Sequence, residues 1–260
     1  MSLIVGWGTS EMNKFIGSTI CNVFTNFQQT VADRGQLCVC KNLTYEACNT
    51  PDYDDLMVQQ YYILRYFPAY LVEYYLMYTQ MLSLDFLPEQ LNVLSIGCGC
   101  GVDLWGLKFA ISQRGENPDV RITYHGVDKA KWHYQDNLGL TNAQFYTGDI
   151  SNLGRSVAVP YNVLAFPKSI AELPTDVFEG FCQMLKSISF TQDHIVVACS
   201  LMTEGINHDS PRVERIATAL ATCGFTSLDS TTVHWETKGD RWLGEFCPRR
   251  QFNYPDDIKA

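Results

Sequence analysis

The second half of the chain alternates short apolar runs with helical stretches, and this alternation restricts the fold more than any other feature of the sequence. The apolar runs have the length and composition of strands buried on both faces, and they span residues 91–96, 120–127, 161–166 and 194–199. The helical stretches span residues 102–113, 177–187 and 211–222. Strands that alternate with helices in this way form βαβ units on a parallel sheet. The pattern therefore predicts an α/β, doubly wound fold for this half.

The first part of the chain has a different pattern. From Glu11 onward its apolar residues recur at helical spacing, with breaks at residues 34–35 and 49–51. We interpret residues 1–88 as an N-terminal helical cap, and residues 89–260 as the domain that contains the parallel sheet.

The composition is that of a folded, acidic protein. The chain has 260 residues, of which 46% are hydrophobic and 18% charged, and its 28 acidic and 19 basic side chains give a formal net charge of −9. This composition excludes disorder for most of the chain. The negative balance argues against binding nucleic acid through bulk charge, because affinity for phosphates comes largely from clustered Lys and Arg.

Cysteine content and hydropathy bear on the cellular location. Ten cysteines in a chain of this length, without a charged segment before the first apolar residues, are typical of a reducing compartment. The most apolar long stretch, residues 61–82, is interrupted by charged residues and a proline, which disfavours a membrane span. We therefore expect a cytoplasmic protein. Cys38, Cys40 and Cys48 are too few for a structural zinc site, so we expect no metal.

A glycine cluster follows the first predicted strand. Gly97, Gly99 and Gly101 alternate with two cysteines and lie just before a predicted helix. Glycines at these positions let the backbone turn sharply and let a ligand approach the chain closely. A dinucleotide-binding turn has the spacing Gly-x-Gly-x-x-Gly, which would need a glycine at Val102. The spacing found here, Gly-x-Gly-x-Gly, resembles the first motif of class I S-adenosylmethionine-dependent methyltransferases instead.

Two acidic residues extend this resemblance. Asp128 follows the second strand, where the family has an acid that binds both ribose hydroxyls, and Asp149 follows the third, where an acid reads the adenine amino group. Ser95 departs from the pattern, because the family often has an acid there. The resemblance implies S-adenosylmethionine as the cofactor, and it implies contacts to it from Gly97, Cys98, Gly99, Gly101, Asp128, Lys129, Asp149, Ile150 and Pro167.

The resemblance also implies a complete fold and a place for the chemistry. The expected sheet is mostly parallel and seven-stranded, with an antiparallel strand near the C-terminus. The reacting centre is expected beyond the fourth strand, where Lys168 would position an anionic substrate, Ser169 would bind the acceptor through its hydroxyl, and Glu172 would act as the base. In the alternative interpretation, Lys168 is simply solvated and Glu172 only begins a helix.

The acceptor class is less restricted by the sequence. Tyr62, Tyr66, Tyr70 and Tyr74 recur every fourth residue in the cap, so they would line a cleft for a small aromatic or cationic acceptor, or else pack against the sheet. We expect a small-molecule acceptor. RNA or protein methylation is the enzymatic alternative. The C-terminal Arg241, Arg249 and Arg250 form the cluster of basic residues that RNA binding would require. A protein that binds the cofactor without turnover is the non-enzymatic alternative.

Overall fold

A computed structural model of the chain describes residues 8–35, 51–137, 143–150, 161–186, 190, 193–200 and 206–226. In these segments the helices are α1 (Gly8–Arg34), α2 (Leu56–Met81), α3 (Val102–Gln113), α4 (Pro118–Arg121), α5 (Tyr134–Asn137), α6 (Thr175–Leu185) and α7 (Ile206–Ala221). The strands are β1 (Leu91–Ile96), β2 (Ile122–Asp128), β3 (Ala143–Thr147), β4 (Val163–Pro167) and β5 (Val196–Ser200).

The strands form one parallel sheet in the order β3-β2-β1-β4-β5. The chain therefore winds outward from β1 in one direction as far as β3 and then returns to add β4 and β5 on the other side. Such a reversal opens a crevice at the carboxyl ends of the strands, beside the first strand. The predicted α/β, doubly wound architecture is confirmed.

The prediction of seven strands is met only in part. The structure has five strands, not seven, in the residues that it describes, and all of them are parallel. The antiparallel strand was expected near the C-terminus, where residues 227–260 lie outside the described residues.

Element boundaries follow local sequence signals. Strand β2 begins later than predicted, because the Asn117 side chain accepts a hydrogen bond from the backbone N–H of Asp119 and so caps the short helix α4. Val120 consequently belongs to that helical turn and not to the strand. Helix α1 ends where a break was predicted, at Arg34, and Gly35 then takes a φ of 64°.

Helix α2 packs on α3 and shares its core. A Cβ atom on Gly106 of α3 would lie 2.8 Å from the Tyr74 Cβ and from the Tyr75 backbone nitrogen, so the absence of a side chain at Gly106 lets the two helices approach closely. Phe67 of α2 and Leu107 of α3 are fully buried in the same hydrophobic cluster, which also contains residues of α1, β1 and β2. The helices of the predicted cap thus pack against the sheet domain, and the boundary at residue 88 stays a prediction.

The described segments lack two features, a membrane-spanning helix and a metal cluster. No helix there is long and apolar enough to span a bilayer. No group of three or more His, Cys, Asp or Glu side chains is arranged to hold a metal ion within those same segments. Cys38, Cys40 and Cys48, which the sequence analysis considered as zinc ligands, lie outside them.

Candidate active site

The glycine turn between β1 and α3 adopts a backbone that favours glycine at three positions. The φ angles of Gly97, Gly99 and Gly101 are 67°, 54° and 80°. Gly97 is also required by packing, since a Cβ atom there would lie 2.3 Å from the Cβ of Ser169. The turn therefore approaches the loop after β4, on the other side of the switch point. A Cβ atom on Gly99 would be 3.6 Å from the Trp132 ring, which lies beside the turn.

The carboxylate of Asp128 connects the end of β2 to the glycine turn. One of its oxygens accepts a 2.8 Å hydrogen bond from the backbone N–H of Gly99, and the other accepts a 2.9 Å bond from that of Ala130. Burial raises the pKa of Asp128, and these two N–H donors oppose the rise. Each carboxylate oxygen has two lone pairs, so these two bonds leave acceptor capacity on Asp128.

The third strand places two further predicted residues beside Asp128. In the register of the sheet Asp128 pairs with Thr147. The backbone carbonyl of Asp128 accepts a 2.9 Å hydrogen bond from the backbone N–H of Gly148. Asp149 follows directly and is exposed, whereas Ile150 is buried with only 4% of its surface accessible. An exposed carboxylate next to a buried aliphatic side chain suits a planar ring with a polar edge. Lys129, on the other side of Asp128, is exposed.

A second carboxylate, which the sequence analysis did not identify, lies behind the glycine turn. Asp103, in the first turn of α3, is fully buried and accepts hydrogen bonds from the hydroxyls of Ser95 at 2.8 Å, Tyr124 at 2.8 Å and Tyr78 at 3.3 Å. Burial raises its pKa to about 6, although the three hydroxyl donors favour the charged form. Ser95, which departs from the family pattern, thus lies in contact with an acid from another element.

The glycine turn lies between these two carboxylates. Burial is the main reason that the pKa of the Cys98 thiol is well above its usual value, but the charges of Asp128 and Asp103 both contribute. The pKa of Cys100 rises to about 12, again first through burial and then through the same two charges. Both cysteines are therefore neutral thiols at neutral pH, and the electrostatic field around the turn is negative.

The predicted catalytic residues lie in the segment that follows β4. Pro167 is buried as the last residue of the strand. Lys168 has a φ of 61°, the only positive value among the non-glycine residues that the structure describes, and its ammonium forms a 2.6 Å ion pair with Glu73 of α2. Ser169 is buried, and its hydroxyl donates to the backbone carbonyl of Ile96. Ser169 thus fastens this loop to the start of the glycine turn.

Glu172 lies in the loop between β4 and α6. Its side chain meets solvent, yet protein surrounds it closely enough that desolvation, followed by the charge of Asp128, raises its pKa to about 7. A carboxyl group with this pKa takes up or releases a proton near neutral pH, as a general base requires. Glu172 is also held by the fold, because its backbone N–H donates a 3.0 Å hydrogen bond to the carbonyl of Ser169.

Helix α7 supplies another residue that sequence reasoning missed. The Arg212 guanidinium donates to the backbone carbonyls of Ile170 and Leu173, the latter at 2.7 Å, and lies 4.9 Å from the ring centroid of Phe178. These contacts hold the loop that carries Glu172. No spacing in the sequence connects Arg212 with that loop, so only the fold reveals the contact.

Helix α2 crosses the carboxyl ends of the strands. Near its start, Gln59 donates to the backbone carbonyl of Lys131 and accepts from the N–H of His133, both at 2.8 Å, in the loop after β2. In its second half, Glu73 pairs with Lys168 after β4 and accepts from the Ser200 hydroxyl at the end of β5. The helix therefore forms one wall of the crevice. The sequence does contain a signal for a role of Glu73, because it is the one acidic residue in the apolar helix α2.

Aromatic rings continue along this wall from the glycine turn towards Lys168. The ring centroids of successive neighbours are 5.2, 5.2, 5.3 and 5.9 Å apart. We call this set the aromatic row, and its members in order are Trp132, Tyr62, Tyr66, Tyr70 and Tyr74. At its far end the Lys168 ammonium lies 6.0 Å from the Tyr70 ring centroid.

Comparisons with known proteins gave matches among solved structures alone. No family model matches the chain, and no curated protein matches it. The plantazolicin methyltransferase BpumL, solved in complex with S-adenosylhomocysteine, is similar at 17% identity and a TM-score of 0.45, over 78% of this chain and 74% of that one. A putative S-adenosylmethionine-dependent methyltransferase from Methanococcus maripaludis is similar at 13% identity and a TM-score of 0.43, over 70% and 89%. Because both TM-scores are below 0.5, we base the functional proposal on the chain's own residues.

Proposed function

We propose that the chain binds S-adenosylmethionine and transfers its methyl group to a small-molecule acceptor. The observation that carries this proposal is the position of the glycine turn between the carboxylates of Asp128 and Asp103. A pyrophosphate would be repelled by this field, whereas a ligand with a sulfonium and an ammonium group would be attracted. The positive φ angles of Gly97, Gly99 and Gly101 give the sharp backbone turn that would bring N–H groups close to such a ligand.

The residues present fit each part of this cofactor. The glycine turn would hold its amino-acid end, Asp128 would accept from the two ribose hydroxyls, and Asp149 with Ile150 would hold the adenine ring. Gly97, Cys98, Gly99, Gly101, Lys129 and Pro167 complete the proposed set. When bound, the cofactor supplies a methyl group already activated by the sulfonium, so the protein has to orient the acceptor and remove a proton.

Three residues after β4 would serve the acceptor. Glu172 would take the proton, because its pKa near 7 allows it to be a carboxylate in much of the protein at neutral pH. Lys168 would stand beside the acceptor with its ammonium oriented by Glu73. The Ser169 hydroxyl already donates to Ile96, so we assign it to shaping the loop as well as to the predicted contact with the acceptor.

The experiment that tests this function compares two cofactor classes in the intact chain. Isothermal titration with S-adenosylhomocysteine and with NADH should show binding of the first and at least tenfold weaker binding of the second. Equal affinities, or tighter binding of NADH, would contradict the proposal. Transfer of a labelled methyl group from S-adenosylmethionine into a small-molecule cell extract, separated from RNA and protein fractions, then tests the acceptor class.

A further inference from the structure

The wall formed by α2 already holds an ammonium group. The Lys168 ammonium lies beside the Tyr70 ring and is paired with Glu73, so a cation, a ring and a carboxylate are in contact at the end of the aromatic row. Lys168 reaches this place from a backbone conformation that non-glycine residues rarely adopt, and such conformations persist where the surrounding structure holds them. The Lys168 side chain therefore indicates that this part of the crevice accommodates a cationic group.

The charges that face the crevice are mainly negative. Glu73 comes from α2, Glu172 from the loop after β4 and Asp128 from β2, and the Lys168 ammonium lies among them, paired with Glu73. A second cation, the Arg65 guanidinium, lies 5.1 Å from the ring centroid of Tyr66 in the aromatic row. Burial, then the charge of Glu73 and further that of Glu172, raises the pKa of Tyr74 well above its usual value. Beside Tyr70, an acceptor with a carboxylate or phosphate would meet the charges of Glu172 and Asp128, and Lys168 would compensate them little because it is paired with Glu73.

Aromatic side chains favour the same class of ligand. The row runs from Trp132, beside the glycine turn, to Tyr70 and Tyr74, beside Lys168. Tyr62 and Tyr70 are only half-buried, whereas Tyr66 and Tyr74 are buried. Partly exposed phenol rings can stack on an aromatic ligand and attract an ammonium group. The row therefore runs from the proposed cofactor turn towards Lys168, and Tyr62 and Tyr70 are the tyrosines of the row that are partly accessible to a ligand.

We propose that the acceptor is a small alkyl amine that carries an aromatic ring, bound by Tyr70 and Glu172, and that Glu73 determines this preference by neutralising Lys168. The inference rests on the proposed function and narrows it to methylation of nitrogen. The amine nitrogen forms a bond to the activated methyl carbon, the carbon–sulfur bond breaks, and its electron pair remains on sulfur. The bound ammonium group first gives one proton to the Glu172 carboxylate, and this transfer frees the nitrogen lone pair that forms the new bond.

The test uses two probes that share a ring and a two-carbon chain and differ in charge. Phenethylamine and 3-phenylpropionate are titrated by NMR into the intact chain saturated with S-adenosylhomocysteine. We expect phenethylamine to bind at least tenfold more tightly than 3-phenylpropionate. A ratio of affinities below threefold overturns the inference, and so does the absence of detectable binding of both probes. In either case the proposed function still stands if S-adenosylhomocysteine binds. If S-adenosylhomocysteine itself does not bind, the proposed function fails and the inference fails with it.

A pair of variants separates the preference from general damage to the fold. Glu73→Gln removes the charge that neutralises Lys168, so the ratio between the two probes should fall at least tenfold while S-adenosylhomocysteine affinity stays within about threefold. Glu11→Gln makes the same chemical change at an exposed position of α1 and should leave the ratio unchanged. An unchanged ratio in Glu73→Gln, or an equal fall in both variants, contradicts the role of Glu73.

Discussion

The carboxylate of Asp128 accepts a 2.8 Å hydrogen bond from the backbone N–H of Gly99, and this bond joins the end of β2 to the centre of the glycine turn. The two residues are far apart in the sequence, but strands β1 and β2 are parallel neighbours, so their carboxyl ends meet. The same carboxylate is the group that we expect to bind the ribose. It therefore shapes the turn and would contact the ligand at the same time.

Replacing Asp128 by alanine should weaken cofactor binding. A hydrogen bond to a charged acceptor is worth about 1.5–3 kcal/mol, so the loss of even one ribose contact should lower affinity for S-adenosylhomocysteine by at least roughly ten- to a hundredfold. Isothermal titration measures the change. Asp176→Ala, at an exposed acid in the first turn of α6, provides the control and should bind like the wild type. Unchanged affinity in Asp128→Ala would exclude it as the ribose ligand.

Two glycine variants test the close approach between the turn and the loop after β4. Gly97 and Gly115 both have positive φ angles, 67° and 76°, but a Cβ atom at Gly97 would collide with Ser169, whereas one at Gly115 has nothing within 4 Å. Both substitutions to alanine pay for the backbone conformation, about 1–2 kcal/mol. Gly97→Ala should cost about 1–3 kcal/mol more, since overpacking adds to strain. Urea unfolding gives both values, and equal losses would show that the turn relaxes away from Ser169.

Variants after β4 should separate chemistry from cofactor binding. Glu172→Gln, Lys168→Ala and Ser169→Ala should keep S-adenosylhomocysteine affinity within about threefold, while removal of the true base lowers turnover on the order of a hundredfold. If Glu172 is the base, turnover in the wild type should rise as the pH passes through about 7, because only the deprotonated carboxyl accepts a proton. Glu172→Gln should lose that rise. Wild-type turnover in all three variants would refute the assignment.

A matched control for this series lies on α6. Glu179 is paired with Arg215 through a 2.9 Å ion pair away from the crevice, so Glu179→Gln removes an acid of the same kind without touching the site. Its pH profile should follow that of the wild type. The same loss of pH dependence in Glu179→Gln would indicate a general electrostatic effect and not a base at Glu172.

The buried carboxyl of Asp103 should make stability depend on pH. Its pKa rises from 3.8 to about 6 on folding, so the folded chain holds a proton that the unfolded chain releases, and the free energy of unfolding should fall as the pH rises from about 4 to 6. Tyr124→Phe removes a 2.8 Å donor to the charged form and should cost about 1.5–3 kcal/mol at pH 8. The cost should be smaller at pH 5, where Asp103 is largely protonated.

Tyr78→Phe is the comparison for that variant. The Tyr78 hydroxyl lies 3.3 Å from the other oxygen of Asp103, so its loss should cost less than that of Tyr124 at pH 8. Denaturant unfolding at the two pH values measures both variants. A cost of Tyr124→Phe that is the same at pH 5 and pH 8 would show that Asp103 keeps one protonation state throughout this range.

The sequence by itself determined the parallel α/β arrangement and placed the predicted cofactor residues at one edge of the sheet. The alternation of buried apolar runs with helical stretches depends on local periodicity, and a parallel sheet is the arrangement that buries such strands. The glycines at 97, 99 and 101 and the acids at 128 and 149 lie at strand ends, so knowing the strands was enough to bring them to one edge. The start of β2 was predicted too early in the sequence. Val120 is apolar, but the cap at Asn117 places it in the short helix α4.

Only the tertiary structure decided which side chains from distant segments face these residues. Asp103 reads in the sequence as an ordinary acid in the first turn of a helix, and only packing brings Ser95, Tyr78 and Tyr124 around it. The pairing of Glu73 with Lys168 likewise depends on the direction in which α2 crosses the strand ends. That direction follows from the close approach of α2 to Gly106 and from the shared core, which are properties of the packed chain that no local pattern encodes.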